Sequence, residues 1–526
     1  MKKLFFLAFH SLTISIALAQ GFTNPVISGF HPDPSVCRVG EDYYLVNSSN
    51  SYFPGIPIFH SKDLIHWEQI GHCLTRESQI PLGMANLSAG IWAPTIRYNK
   101  GTFYVISTNM DAGGHFIVTS KNPAGPWSEP IWIEKNGIDP SLFFDEDGKC
   151  YFTRNGDDDE GRKGIILYEI NPSNGKKLSK TSLIHKGVFD PHVEGPHIYK
   201  TGDFYYLLMA EGGTHIGHMM TIARSKTLKG PYQNCPDNPI LTHREKLFEH
   251  IQGVGHGDFV QDHKGSWWVV FLGFRNHWGF PAKHNLGRET FLAPVTWKNN
   301  WPVINGGNPI KEQMDIPTLP QVILEKKPIR DEFSEQKLNF TWNFIRDPSI
   351  EEWSLTDKKG WLTLKGTQVT LDSILSPAFI GRRQQHHWSR FSTMIDFAPI
   401  SDNEESGLTI YASEKYHFDF FIRLVNDKRS LMIRRVVDDI NYIAKTIMLE
   451  EGPVKIEIHS NPWAYEYFYS QGDKQVEKIF QTQSKLLTTE VAGGFVGNYY
   501  GLYATGNGKT SKTHAFFDWV EYGEFK

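Results

Sequence analysis

The chain has 526 residues, a formal net charge of −4 and 40% hydrophobic residues. That length and apolar content suit a large core divided between two globular domains and exclude a disordered chain. The slight acidic balance supplies no basic field for nucleic acid.

Taken in order, the chain opens on Lys2 and Lys3, a mainly apolar stretch from Leu4 to Leu18, and the small-residue signal Ala17-Leu18-Ala19. These features predict a signal peptide over residues 1–19, with export to the periplasm or the medium. A membrane anchor is the weaker reading, because the stretch is short for a span and contains His10, Ser11 and Thr13. No later stretch is long and apolar enough for a span.

Residues 20–322 hold five copies of one pattern: a small or polar residue beside Pro or Gly, an apolar strand, a turn with glycine, and an aromatic strand. They read HPDPSVCRVGEDYYLV, WAPTIRYNKGTFYVI, IDPSLFFDEDGKCYF, EGPHIYKTGDFYYLL and GHGDFVQDHKGSWWVVF. The turn glycines are Gly40, Gly101, Gly148, Gly202 and Gly265, and repeats at roughly 50-residue spacing with hairpin signals are the mark of propeller blades. Segments such as IPIFHSKDLIHWEQI and HFIVTSKNPAGPWSEPIWI supply the outer strands. The region therefore predicts an all-β, five-bladed β-propeller.

Pro and charge cluster in LPQVILEKKPIRDEF, which places a linker at 323–330. Residues 331–526 return to short alternating strands, among them WLTLKG, FDFFIRLV and VKIEIHS, and suit a β-sandwich. The four cysteines, Cys37, Cys73, Cys150 and Cys235, show no metal-ligand spacing. Export would permit disulfides, but Cys37 and Cys150 fall in predicted blade strands and read as buried free thiols.

Three blade copies carry a carboxylate where they begin: Asp33, Asp139 and Glu194. With five blades around one axis, these acids converge at one mouth of the central channel. Converging carboxylates suit glycosidic bond hydrolysis. One group, protonated, serves the leaving oxygen, and another, ionised, activates water or attacks the sugar. Three acids also suit calcium, although the alternating-oxygen loop of such sites is absent. A glycan-binding protein without catalysis is the rival of another class; it needs no proton donor.

The motifs HPDPS, WAP, IDPSLFFD, EGPHIY, GHGD and LGRETFLAPVTW, in that order, resemble glycoside hydrolase family 43. The likeness is to its β-xylosidase and α-L-arabinofuranosidase members with a C-terminal sandwich of the concanavalin-like, jelly-roll type. It implies an exo-acting, inverting enzyme that needs no cofactor, with a β-D-xylosidase on xylo-oligosaccharides as the first expectation and an α-L-arabinofuranosidase as the second. By the resemblance, Asp33 is the general base, Glu194 the general acid, and Asp139 the group that tunes and orients the acid. Arg288, Trp92 and Thr214 match sugar-contacting positions, and His256 matches a channel histidine that often lies near an ion. Tyr499, with Phe495 second, matches a ring that the sandwich lays over the pocket. The likeness also implies a structural calcium shared by Asp331 and Asp518. Relatives of this type often carry an aromatic where this chain has Asn50. His215 and His218 complete no zinc motif and read as rim or structure.

Overall fold

The computed structural model describes residues 21–189, 192–277, 281–315, 319 and 329–525. The leader assigned to 1–19 and nearly all of the linker at 323–330 lie outside the described residues. Among the described residues, five antiparallel sheets follow one another along the first three hundred positions, each beginning with its innermost strand. These inner strands are β1 (Ser35–Val39), β2 (Ile91–Asn99), β3 (Ile138–Phe144), β4 (Glu194–Thr201) and β5 (Ile251–Gln261). Each pairs with the aromatic strand that follows it in sequence, as in the register Cys37↔Tyr44 and Tyr199↔Tyr206. The five hairpin glycines all have positive φ, from 54° at Gly202 to 90° at Gly265, which a side chain would make costly.

The inner strands share a second backbone irregularity. Asp33, Ala93, Asp139, Gly195 and His256 have φ of 52°, 37°, 56°, 56° and 43°. The next residue is Pro34, Pro94, Pro140 or Pro196 in four copies and Gly257 in the fifth. Proline has no N–H for the ladder, so pairing slips there: the register shifts between Trp92 and Thr95, Ile138 and Ser141, and Glu194 and His197. In four blades the residue with this positive φ, Asp33, Ala93, Asp139 or His256, lines the cavity at the channel mouth.

Two residues further along, Ser35, Thr95, Ser141, His197 and Asp258 are all buried and form a lower ring. Asp258 Oδ2 accepts from Ser35 Oγ at 2.6 Å, from Val36 N at 3.1 Å and from Arg97 Nη1 at 2.7 Å, while Oδ1 accepts from Tyr199 OH at 2.5 Å. Arg97 Nη2 also donates to His197 Nδ1 at 2.9 Å. One carboxylate thus ties β5 to β1, β2 and β4. The ring is closed a second time by the N-terminal segment, which crosses to the last blade. Ile27 and Thr290 exchange backbone hydrogen bonds at 3.2 Å, and the Asn24 amide pairs with both backbone groups of Leu292.

Residues from 330 on form a sandwich of one eight-stranded and one six-stranded antiparallel sheet. Its core includes Phe391, Phe420, Tyr467 and Phe517. The sandwich docks tightly on the propeller: Phe344 and Ile345 pair in register with Phe53 and Tyr52, and Phe30, Tyr52 and Leu87 share one apolar cluster with Phe379, Val496 and Tyr499. All four cysteines are free and buried. Among the described residues, no helix is long and apolar enough to cross a membrane.

Candidate functional site

A cavity of about 280 Å³ opens at the channel mouth, and Asp33, Asp139, Glu194, Trp92, Thr214, His256, Arg288 and Phe495 all line it. Asp33, just before β1, and Asp139, in β3, occupy equivalent positions with positive φ before a proline. Glu194 does not: the equivalent residue in β4 is Gly195, and Glu194 stands one residue earlier, opposite Ala210. The three acids therefore meet at one mouth without recurring at one backbone position. This offset has a use. Gly195 N donates to Asp139 Oδ2 at 3.0 Å, so Asp139 is pinned to the peptide that follows Glu194.

Asp33 is buried among donors. Ser48 Oγ donates to Oδ2 at 2.6 Å, Arg288 Nη1 donates to Oδ1 at 2.9 Å, and His256 Nδ1 lies 3.6 Å from Oδ1. Burial alone would raise its pKa, but Arg288, His256 and the Ser48 hydroxyl outweigh burial and hold it below the ordinary carboxylate range. Asp139 goes the other way. Burial raises its pKa, the charge of Asp33 adds to the rise, and His256 with the Gly195 N–H only partly offset it. One carboxyl of the pair stays ionised while the other retains its proton more readily.

Arg288 reaches across the pocket, with Nη1 3.4 Å from Thr214 Oγ1 and Nη2 donating to the Phe495 carbonyl at 3.3 Å. Trp92 is oriented by its indole N–H, which donates to Ser88 O at 2.9 Å, and Phe495 stands edge-to-face against it at 5.4 Å. Asn50 does not line the cavity. Its amide donates to the same Ser88 carbonyl at 2.6 Å, so it steadies the segment that holds Trp92 rather than meeting a ligand.

The roof is Phe495 and not Tyr499. Tyr499 begins the strand Tyr499–Thr505, is fully buried, and stacks on Tyr52 at 3.8 Å between the two domains. Phe495 lies in the loop before that strand. There Phe495 N donates to Ser88 Oγ at 2.9 Å, and a Cβ on Gly494 would stand 2.4 Å from that oxygen. The glycines of GGFVG allow this approach to the propeller and push the ring outward over the pocket.

Ser48 was not legible as a site residue, since nothing in NSSNS distinguishes it. His218 is buried, with Nδ1 3.2 Å from Gly253 O, and burial beside His256 brings its pKa down to about 3. Asp139, Glu194 and His256 offer ligand atoms within 4.8 Å of one another, a spacing that suits a cation or a shared proton. Among the described residues, no metal-ligand cluster of three or more includes Asp331 or Asp518. The Asp331 carboxylate is instead occupied by the Trp342 indole N–H at 2.8 Å and the Phe333 N–H at 3.0 Å.

Comparison with known proteins agrees with this geometry. Residues 22–302 match the family model described as glycosyl hydrolases family 43, and residues 330–523 match the beta xylosidase C-terminal concanavalin A-like domain. The chain is 42% identical to a non-reducing end α-L-arabinofuranosidase of Bacteroides ovatus, over 97% of this chain and 96% of that protein. It is 40% identical to a xylosidase/arabinosidase of Butyrivibrio fibrisolvens, over 95% of this chain and 99% of that one. Among solved structures, a xylan β-1,4-xylosidase from Bacillus halodurans superposes with a TM-score of 0.90 at 33% identity, covering 96% of this chain and all of that one.

Proposed function

The chain belongs to glycosyl hydrolase family 43, and from that membership we propose that it removes single pentose residues from the non-reducing ends of glycan chains, β-D-xylosides first. The observation that carries this reading is the meeting of Asp33, Asp139 and Glu194 in a cavity of about 280 Å³ roofed by Phe495. Small-molecule sites usually run from roughly 300 to 1,000 Å³, so this one suits a single sugar rather than the middle of a chain. The α-L-arabinofuranoside is the second substrate, favoured by the name of the 42% identical relative. The segment 1–19 supports export of the enzyme.

In this reading Asp33 is the general base. Arg288 and Ser48 hold its two oxygens, which fixes the direction in which it takes a proton from water. Glu194 is the general acid that protonates the departing oxygen. Asp139, bonded to the peptide beside Glu194, orients that acid and favours its protonated form. The spacing among Asp139, Glu194 and His256 serves a shared proton, because a resident cation would hold Glu194 ionised and spoil it as a donor. A glycan is the partner, and no cofactor takes part.

The test is hydrolysis of nitrophenyl β-D-xyloside and α-L-arabinofuranoside by the purified protein. Release from either supports the reading, and the ratio ranks the two sugars. Proton NMR of the first product should show the inverted anomer. Rapid loss of viscosity in a xylan solution would instead reveal internal cleavage and sink the exo assignment. Truncating Phe495 to Ala should lower kcat/KM for the better glycoside by about 10-fold, because the ring both excludes water and covers Arg288. An unchanged value would mean that the ring does not meet the substrate.

A further inference from the structure

Away from the catalytic pocket, large aromatic rings stand uncovered at the seam between propeller and sandwich. Trp463 is 57% exposed, Trp388 40% and Phe525 37%. Monomeric proteins seldom gather large apolar rings in one exposed place unless something covers them in use. The backbone holds them there. Trp463 stands at the tip of the turn joining Val454–Ser460 to Ala464–Gln471, where Asn461 Oδ1 accepts from Trp463 N at 2.9 Å and from Ala464 N at 3.0 Å. The neighbouring segment braces the tip: Ser484 N donates to Trp463 O at 3.0 Å and Ser484 Oγ to Pro462 O at 2.7 Å. Trp388 meets Trp463 edge-to-face at 5.9 Å with 80° between the ring planes, and Phe525 N donates to the Trp388 carbonyl at 3.3 Å.

The two indoles thus form a fixed right-angled corner. Beside it runs a groove of about 680 Å³ whose lining includes Trp463, Gln481, Gln483, Lys283 and Lys485, with no carboxylate among the described lining residues. Flat rings complement the apolar faces of sugar rings. Side-chain amides carry a donor and an acceptor together and so complement hydroxyls.

We propose that this corner and groove hold a β-1,4-linked, xylan-type chain at a second site, apart from the pocket that cuts it. The proposal rests on the pentosidase reading. The pocket receives one terminal sugar, so the rest of a long substrate lies outside it and gains from a separate hold. A flat glucan ribbon presents its rings parallel and would meet one indole at a time. A xylan-type chain turns successive rings about its axis and can face both walls of the corner. Lys283 and Lys485, in a groove whose described lining holds no acid, favour chains that bear uronic acid substituents.

The experiment is native electrophoresis through gels cast with glucuronoxylan, or with mixed-linkage β-glucan as control, using the Glu194→Ala protein so that the polymer is not consumed. Glucuronoxylan should retard the protein, β-glucan should not, and adding Trp463→Ala should weaken the apparent affinity for xylan by about 10-fold or more. Trp388→Ala and the Gln481→Ala/Gln483→Ala pair provide independent variants, each checked for an unchanged melting temperature. Equal mobility with and without xylan overturns the proposal. So does retardation that survives all three variants, or a Trp463-dependent change in sedimentation, which would make the patch a contact between copies. With Glu194 in place, Trp463→Ala should hydrolyse the aryl pentosides at the unaltered rate. If the unaltered protein cleaves no pentoside, the function reading fails on its own, whatever the gels show.

Discussion

Replacing Glu194 with alanine should lower kcat on the better nitrophenyl pentoside by about 10²–10⁴-fold, the range of a positioned general acid. The chain should remain folded, since Glu194 is only partly buried where β4 begins. The loss should be larger for natural oligosaccharides than for nitrophenyl glycosides. A nitrophenolate departs with little help, whereas a sugar alkoxide needs the proton. A pH profile separates the roles further. The pKa of Asp33 lies below the ordinary range, so the base stays ionised to lower pH, and the acid limb of kcat/KM should fall below the usual aspartate value of about 3.9. The alkaline limb, which reports loss of the proton donor, should vanish in Glu194→Ala. A variant that keeps that limb and most of its activity would remove Glu194 from the mechanism.

The second large effect is expected below the pocket. Asp258→Asn keeps the shape but removes the charge that faces Arg97. Breaking a buried pair in this way commonly costs about 3–5 kcal/mol, because the partner is left charged and uncompensated. A melting temperature lower by roughly 10 °C would follow. Burial alone would raise the Asp258 carboxyl, but Arg97 and the other donors bring it down to about 2. Its contribution to stability is therefore present above the unfolded value of about 3.9 and is lost as the pH falls through about 2. The excess stability of the unaltered protein over Asp258→Asn should shrink along that interval. A melting temperature within a degree of the unaltered value would show that the hydrogen bonds alone, without the charge, hold the blades.

Much of this was legible before the fold was known. The recurrence of a polar residue before proline marked Asp33 and Asp139, because in both copies the residue before the proline takes the positive φ that precedes the paired part of the inner strand. The same reasoning misjudged Glu194 by one residue: EGP resembles IDP in writing, yet glycine takes that position and the acid precedes it. Phe495 and Tyr499 were confused for a different reason. Which of them reaches the pocket depends on how a loop of the sandwich meets Ser88, some four hundred positions away, and no pattern within GGFVGNYYGLY encodes that meeting. Asp258 sat in plain view in GHGD but had no visible partner, since Arg97 lies 161 residues away and only closure of the ring brings them together. The aromatic corner at Trp388 and Trp463 was equally silent, because composition counts tryptophans without saying which are covered.

The hydrogen bond from Arg288 to Asp33 spans 255 residues, and Phe495 follows Arg288 by another 207. On a ribosome adding about 5–20 residues per second, Asp33 emerges tens of seconds before its arginine, and the roof arrives later still. Until the last blade is made, the first blade waits with an aspartate that has the Ser48 hydroxyl beside it but no arginine to offset its burial. A nascent chain stopped before Arg288 should therefore be silent toward glycosides, and catalytic activity can serve as a clock that starts only once the last blade has closed the ring.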